Sequence, residues 1–470
     1  MVLRKMEEYL NSLRENDKHK EVYYRGKKIR SFLEHPTLNI AAKHTAKLFE
    51  FPDRGYYDET MNEEISKYFK VPRNSDDLLN RHTLIYNNTV FCKGVFNISQ
   101  AIGSDALFSL MIVSKIVDRK LNTNYYEKVQ NYYKYVAKND LALAVAQTDV
   151  KGDRSKRPSE QDDPYLYLKV SEVKKDGIVV NGAKAHTTQS AVAEELIVLP
   201  TRAMKEGEEL YSVAFSIPTN TKGLKFIIRP IEELEGNTSS IISKEDYEFE
   251  TLTIFENVFV PWERVFLFKE YNFSGYLANL FATFHRFTAI SYRSALTDLY
   301  LGTTSLLAKA NGIENEKHVR DDILNIILYK EIMRMSAIVS ALKNNYQENI
   351  AIPNPIYTNI GKLYSNENFI KVVASLIDVA GGIIATLPSE EDLNNDELKA
   401  YMEKFLKGKY SGKERIKLLK LAKELASSSF TGYLLTLMLH AEGSMEASKI
   451  GLIREYNLKD VETFVENILK

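Results

Sequence analysis

The hydrophobic period of this chain switches twice, and that double switch restricts its fold more than any other feature. From the start to about Asp140 the apolar residues mostly recur at helical spacing, as in Asp105 to Ile116 and Tyr125 to Val136. Between Leu141 and about Phe268 the pattern becomes short β-rich runs, LYLKVSEV, GIVVNGAKA, ELIVLPT, YSVAFSI, LKFIIRP and TLTIFENVFV, separated by turn residues. After Tyr271 the helical period returns, broken only by NIAIPNPIY and by a polar stretch from Pro388 to Glu414. The expected chain is α+β and mainly α, with domains at 1–140 (helical), 141–270 (β, barrel-like) and 271–470 (helical bundle). An early exception, EVYYRGKKIR, flanks Gly26 as a hairpin would and is expected to decorate the first helical zone.

With 470 residues, 44% apolar and 27% charged, the chain has the make-up of an ordinary globular protein with a sizeable core. Its 62 basic and 63 acidic residues nearly cancel, which argues against a nucleic-acid or anionic-membrane surface and for a small-molecule substrate. The single cysteine, Cys92, can make no intrachain disulfide and cannot alone supply a thiolate-ligated cluster, so the chain reads as cytoplasmic. The N-terminal MVLRKMEEYLNSLREN scatters charges among its apolar positions and reads as neither signal peptide nor membrane span.

Five segments carry residues able to do chemistry. AQTDVKGDRSKRPSEQ places Thr148, Asp149, Asp153, Arg154 and Ser155 in a loop after a strand, where hydroxyls can meet a polar-edged heterocycle and Arg154 a phosphate or carboxylate. A solvated turn is the commoner outcome for such a loop in isolation. NGAKAHTTQS ends another β run with Gly182, His186, Thr187 and Thr188; its small residues leave room for a ligand, and an imidazole there can orient a cofactor or move a proton. FHRFTAISYR sets His285 and Ala289 on one helical face, with Tyr292 and Arg293 a turn further on. In DVAGGIIATLPSEEDL, Gly381 and Gly382 end an apolar run, as a helix cap or as a close approach to a ligand. In HAEGSMEASK, Ser444 suits an N-cap and Glu446 the first helical turn, which also allows an anion site or a carboxylate base. No GxGxxG, P-loop, HExxH or paired CxxC occurs.

Together with YLNSLRENDKHKEVYYRGKKI, IGSDALFSL and FENVFVPWERVF, these segments resemble, in family order and over nearly the whole chain, the 4-hydroxybutyryl-CoA dehydratase branch of the 4-hydroxyphenylacetate 3-hydroxylase family. The resemblance implies an acyl-CoA dehydrogenase-like fold, FAD between the β domain and the helices, and a homotetramer. It places Gln147, Thr148, Asp149, Asp153, Arg154, His186, Thr187 and Thr188 against FAD, with Gly381 and Gly382 near a cofactor partly held by a neighbouring subunit. It makes His285, Glu250 and Glu446 the catalytic candidates and sets Ser99, Gln100, Ala289, Tyr292 and Arg293 on the substrate side.

The departures are as informative as the match. The branch's three cluster cysteines fall on Asn97, Ala101 and Tyr292, and only the histidine, His285, remains. One imidazole cannot hold a [4Fe–4S] cluster, so none is expected. Ala289 stands for a tyrosine and Arg293 for a lysine. The expected activity is that of a flavoenzyme on a CoA thioester, with dehydratase-, isomerase- or dehydrogenase-like chemistry. The alternatives are a two-component monooxygenase that hydroxylates a phenolic acid with FADH2 from a separate reductase, and a flavin-binding paralogue without turnover.

Overall fold

The computed structural model describes residues 3–232 and 240–470. They fall into two compact units, one of Met1–Arg73, Leu84–His285 and Gln347–Ile350, the other of Asn74–Thr83, Arg286–Tyr346 and Ala351–Lys470. Helices precede and follow a central β region, as the two switches of period require.

The first unit holds a six-stranded and a four-stranded sheet. The six-stranded sheet is built on the strand Thr251–Pro261, which pairs antiparallel with Leu224–Ile228 on one side and Gly177–Lys184 on the other. Its alternation of buried and exposed residues breaks between Phe255 and Val258, where the register slips and Asn257 takes a left-handed φ of 52°. That is a bulge, and its extra residue shifts the buried positions from 251, 253 and 255 to 258 and 260 while the strand goes on pairing with the same neighbour. The second sheet runs Val265–Phe268, Val213–Pro218, Glu195–Val198, Leu143–Ala146, the last two parallel with Val145 opposite Ile197. Both parallel strands are fully buried, in keeping with sequences that are apolar but for Glu195, which is paired with Arg264.

The hairpin Glu21–Tyr24 and Lys27–Ile29 forms as expected but does not decorate the helices. It joins the edge of the six-stranded sheet, with Glu21 parallel to Lys225 and Tyr24 to Ile228. Val22 and Tyr24 point inward and are buried, so the strand's alternation matches a sheet edge rather than a helical surface.

The core helix of this unit is Ala101–Leu121, buried without a break from Ala101 to Ser114 and closed by Asn122 at φ 54°. Each large apolar side chain there contributes about 1.5–3 kcal/mol by leaving water. Asp105 sits in the same buried run, and a carboxylate in that place must be paired or protonated.

In the second unit, the helices Lys317–Leu342 and Pro355–Ala380 pack along each other, and the stretch between them carries the paired short strands Asn345–Gln347 and Ile350–Ile352. Asn354 caps the latter helix by accepting from the Ile356 N–H, with Pro355 at the first helical position. The polar stretch from 388 to 414 interrupts the pattern but is not coil: it forms helices Glu390–Leu393 and Asp396–Phe405, the second capped by Asn395. Among the described residues no helix is long and apolar enough to cross a membrane.

Candidate functional site

In the first unit the two loop segments singled out after strands lie side by side. The Ala185 N–H donates to the Thr148 carbonyl at 2.8 Å, and Lys184 reaches across to the Gln147 and Leu199 carbonyls at 2.8 and 3.0 Å. The Asp149 carboxylate takes Lys184 at 2.9 Å and the Leu168 N–H at the same distance, with both side chains almost wholly buried. Burial lifts Asp149 above the usual carboxylate range despite Lys184, and burial likewise lowers Lys184. Asp149 therefore serves as a strut between the two segments. Thr187 is a strut as well: it is buried and bonds the Thr251 carbonyl and the Thr253 hydroxyl at 2.8 and 2.6 Å.

What the struts hold out is different. His186 is exposed at a left-handed φ of 56°, and Thr188 donates to the Glu250 carboxylate at 3.0 Å to either oxygen. Arg154 is exposed, while Asp153 caps its own turn through the Ser155 N–H and hydroxyl at 3.0 and 2.7 Å. Gln147 donates from its amide to the Ala278 carbonyl at 3.3 Å. Gly182 does not leave space for a ligand as its sequence setting suggested: a Cβ there would meet the Leu168 Cα at 2.6 Å, so the glycine admits a neighbouring backbone.

The fully buried Asp105 is answered by His285, whose Nδ1 lies 3.3 Å from its Oδ2 while the ring keeps 12% side-chain exposure. Phe281 stacks on that imidazole at 5.4 Å and 13°, holding its plane. The pair is an oriented histidine with one edge reachable. Ser99 and Gln100 are buried nearby in sequence and engaged within the fold. Ser99 donates to the Thr45 hydroxyl at 3.3 Å. The Gln100 amide donates to Asp140 at 2.8 Å and accepts from Ser66 at 2.7 Å. Asn97 donates to the His44 carbonyl at 2.6 Å, and Ala101 has no donor atom to offer.

The second unit contains a separate charged cluster. Tyr292 donates to Glu442 at 2.7 Å and Arg293 to the same carboxylate at 2.6 Å, with the Arg293 and Glu442 side chains 0% and 3% exposed. Arg293 also reaches Ser365, Asn366 and the Met438 carbonyl, yet its Nε has no acceptor. Arg286 bonds the Glu442 carbonyl at 3.1 Å and Asn359 at 2.8 Å, and Lys362 donates to the Gly443 carbonyl at 2.7 Å. Three buried cations thus surround one carboxylate. Burial, reinforced by Arg293 and Arg286 against the pull of Glu442, lowers Lys362 to about 7. Burial also lowers Arg286; for Arg293 burial is again the largest effect, but Glu442, Tyr292 and Tyr329 together overcome it and hold Arg293 above its ordinary value.

Glu442 was not among the residues the sequence pointed to; Glu446 was. Glu446 is exposed in the first turn of Met445–Glu455, where Ser444 caps the helix as expected by accepting from the Ala447 N–H. Glu442 sits in the turn between two helices at φ 56°, followed by Gly443 at 93°, and a left-handed non-glycine residue is uncommon enough to mark such a position. Ala289 is buried on Tyr271–Asn311. Gly381 takes φ 75° and closes Pro355–Ala380 through its N–H to Ile377, while a Cβ on Gly381 or Gly382 would meet nothing within 4 Å. The conformation of a helix end, not crowding, calls for glycine at 381.

The model of the 4-hydroxyphenylacetate 3-hydroxylase N-terminal region matches residues 5–267, and that of its C-terminal region matches residues 274–470. The chain belongs to this family. Within the family it is 30% identical to 4-hydroxybutyryl-CoA dehydratase/vinylacetyl-CoA-Δ-isomerase of Clostridium aminobutyricum, over 96% of each chain. The fold matches an oxygen-tolerant archaeal 4-hydroxybutyryl-CoA dehydratase of N. maritimus with a TM-score of 0.94 at 24% identity, covering 100% of this chain and 95% of that one. It matches the oxygenase component of 4-hydroxyphenylacetate 3-monooxygenase complexed with FAD with a TM-score of 0.91 at 25% identity, covering 99% and 98%. The family thus includes a dehydratase/isomerase and an FAD-holding monooxygenase component, and membership alone leaves the reaction open between them.

Proposed function

We propose that the chain is an FAD-dependent enzyme that moves a proton on a CoA thioester, with isomerase-, dehydratase- or dehydrogenase-like outcome, and that it works without an iron–sulfur cluster. The observation that carries this reading is the His285–Asp105 pair, a buried carboxylate behind a partly exposed imidazole. With Nδ1–H donating to Asp105, Nε2 carries the lone pair. It can take a proton from the carbon next to the thioester carbonyl and return it further along the chain. Phe281 keeps the ring in one plane, so the base stays aimed. The 30% identity to the dehydratase/isomerase over 96% of both chains favours this substrate class over a phenolic acid.

The donor set of the first unit fits FAD. Exposed His186 and Arg154 and the Thr188 hydroxyl offer an imidazole, a guanidinium and a hydroxyl to a flavin's polar edge and pyrophosphate, while Asp149 and Thr187 keep the two segments in register. FAD, when bound, supplies an electron acceptor and a polarising ring system. Glu250, held by Thr188, is the carboxylate of this cluster, and Gly381 and Gly382 remain candidates for contact with a neighbouring subunit's cofactor in a homotetramer. Tyr292, Arg293 and Ala289 are assigned to substrate contact, the first two held by the Glu442 carboxylate.

The positions that correspond to cluster ligands do not fit a [4Fe–4S] group. The Asn97 amide is bonded to the backbone, Ala101 has no ligand atom and the Tyr292 hydroxyl is bound to Glu442. That same loss, with the 25% identity to an FAD-complexed oxygenase component, supports a second reading as a monooxygenase supplied with FADH2 by a separate reductase. Anaerobic flavin spectra separate the two: a perturbation by vinylacetyl-CoA or crotonyl-CoA and none by 4-hydroxyphenylacetate supports the first, and the reverse overturns it.

A further inference from the structure

One set of buried chemical groups has no part in the flavin reading. His44 lies on the helix Leu38–Lys47, Cys92 just past Ser75–Phe91, and Asp246 in the segment before the strand Thr251–Pro261. All three are buried, and one ligand atom from each lies within 4.8 Å of the others. His44 Nδ1 is 3.0 Å from Asp246 Oδ1, and Glu248 Oε1 is 3.8 Å from His44 Nε2. We propose that His44, Cys92 and Asp246 form a buried three-ligand site for a divalent transition metal of the zinc type.

Imidazole, thiolate and carboxylate are the donors such an ion takes, and this chain spends its only cysteine there. Bonds of about 2.0–2.3 Å set tetrahedral donors roughly 3.3–3.7 Å apart, so the present spacing closes with side-chain movements of about 1 Å. Lys47 Nζ, 2.7 Å from both Asp246 oxygens, is the outer partner that fixes the carboxylate. Glu248, held by the Ile98 N–H at 2.8 Å, faces the other ring nitrogen of His44 at 3.8 Å and is a second outer partner.

The charges balance in either state. Without the ion, Asp246 Oδ1 lies 3.0 Å from His44 Nδ1 and Lys47 lies against the same carboxylate, an arrangement that suits an imidazolium beside a neutral thiol. The imidazolium and Lys47 then offset the two carboxylates. A divalent ion displaces one proton from His44 and one from Cys92, so the buried cluster exchanges two protons for two metal charges and stays neutral. An ion network of His44, Asp246, Glu248 and Lys47 alone would give Cys92 no role, and that difference is measurable.

The test uses the full-length, tag-free, FAD-loaded protein, stripped with chelator, given Zn2+ and desalted. Zinc is quantified by mass spectrometry and its ligands by X-ray absorption at the zinc edge, where the flavin is silent. The expected result is about one zinc per chain with one sulfur neighbour at about 2.3 Å, and loss of that sulfur shell in Cys92→Ser and of retained zinc in His44→Gln. Wild-type protein that retains no zinc, or retains it with only nitrogen and oxygen neighbours, overturns the site. Neither outcome depends on the thioester reaction.

Discussion

Glu442→Gln tests whether the second unit's charge cluster is organised around that residue. The carboxylate takes charge-assisted hydrogen bonds from Tyr292 at 2.7 Å and Arg293 at 2.6 Å in a place almost without solvent. Each such bond contributes about 1.5–3 kcal/mol, and removing one partner of a buried ion pair typically costs about 3–5 kcal/mol. Glutamine keeps the shape and one acceptor but leaves Arg293 and Arg286 with no counter-charge. We expect a loss of about 3 kcal/mol or more in urea unfolding, against at most about 0.5 kcal/mol for Glu446→Gln at its exposed position. Lys362 can shed its proton near neutrality, so adding Lys362→Met to Glu442→Gln should recover about 1 kcal/mol. Equal unfolding midpoints for Glu442→Gln and Glu446→Gln would refute the assignment of Glu442 as the cluster's centre.

Further outcomes follow from the same geometry. Lys362 has its folded value near 7, below the ordinary 10.5, so between those values the unfolded chain holds a proton the folded chain does not. Its penalty is full below pH 7 and fades as pH rises toward 10.5; Lys362→Met should remove a slope of up to about 1.4 kcal/mol per pH unit in that window, and an unchanged slope would contradict the burial argument. Arg154→Ala with Thr188→Ala should weaken FAD binding, and wild-type flavin affinity in the double variant would remove that site. Asp105→Asn should cut turnover by about 10-fold to 100-fold while FAD stays bound, and unaltered turnover would leave Asp105 without a role in the chemistry. The C-terminal helix Leu458–Ile468 carries Leu458, Val461, Phe464, Val465 and Ile468 on an exposed stripe, and sedimentation should give a tetramer; a stable monomer at micromolar concentration would refute that assembly.

The layers of the fold were legible because period alone separates helix from strand over long runs such as Ala101–Leu121 and Thr251–Pro261. Which strands pair was not. The parallel contact of Glu21–Tyr24 with Leu224–Ile228 joins residues about two hundred positions apart, and nothing local encodes it. At the site, caps and turns were readable: Ser444, Gly381 and the loop through Asp153 do what their side chains do locally. Roles fixed by distant partners were hidden. Asp149 was expected against FAD and is paired with Lys184, Gln100 was expected on the substrate side and is paired with Asp140, and Gly182 makes way for the Leu168 backbone. The missed Glu442 had one faint signal, a glutamate before a glycine in an interhelical turn, and Lys362 had none beyond a lysine among apolar helix positions.

The thioester reading is tested most directly by following deuterium. FAD-loaded protein is held anaerobically in D2O with vinylacetyl-CoA, and the thioester is recovered and weighed by mass spectrometry. Proton transfer by His285 predicts deuterium in the recovered acyl chain together with conversion to crotonyl-CoA, both lost in His285→Ala while FAD remains bound. No exchange in the wild-type protein, with hydroxylation of 4-hydroxyphenylacetate when FADH2 and oxygen are supplied, would contradict it.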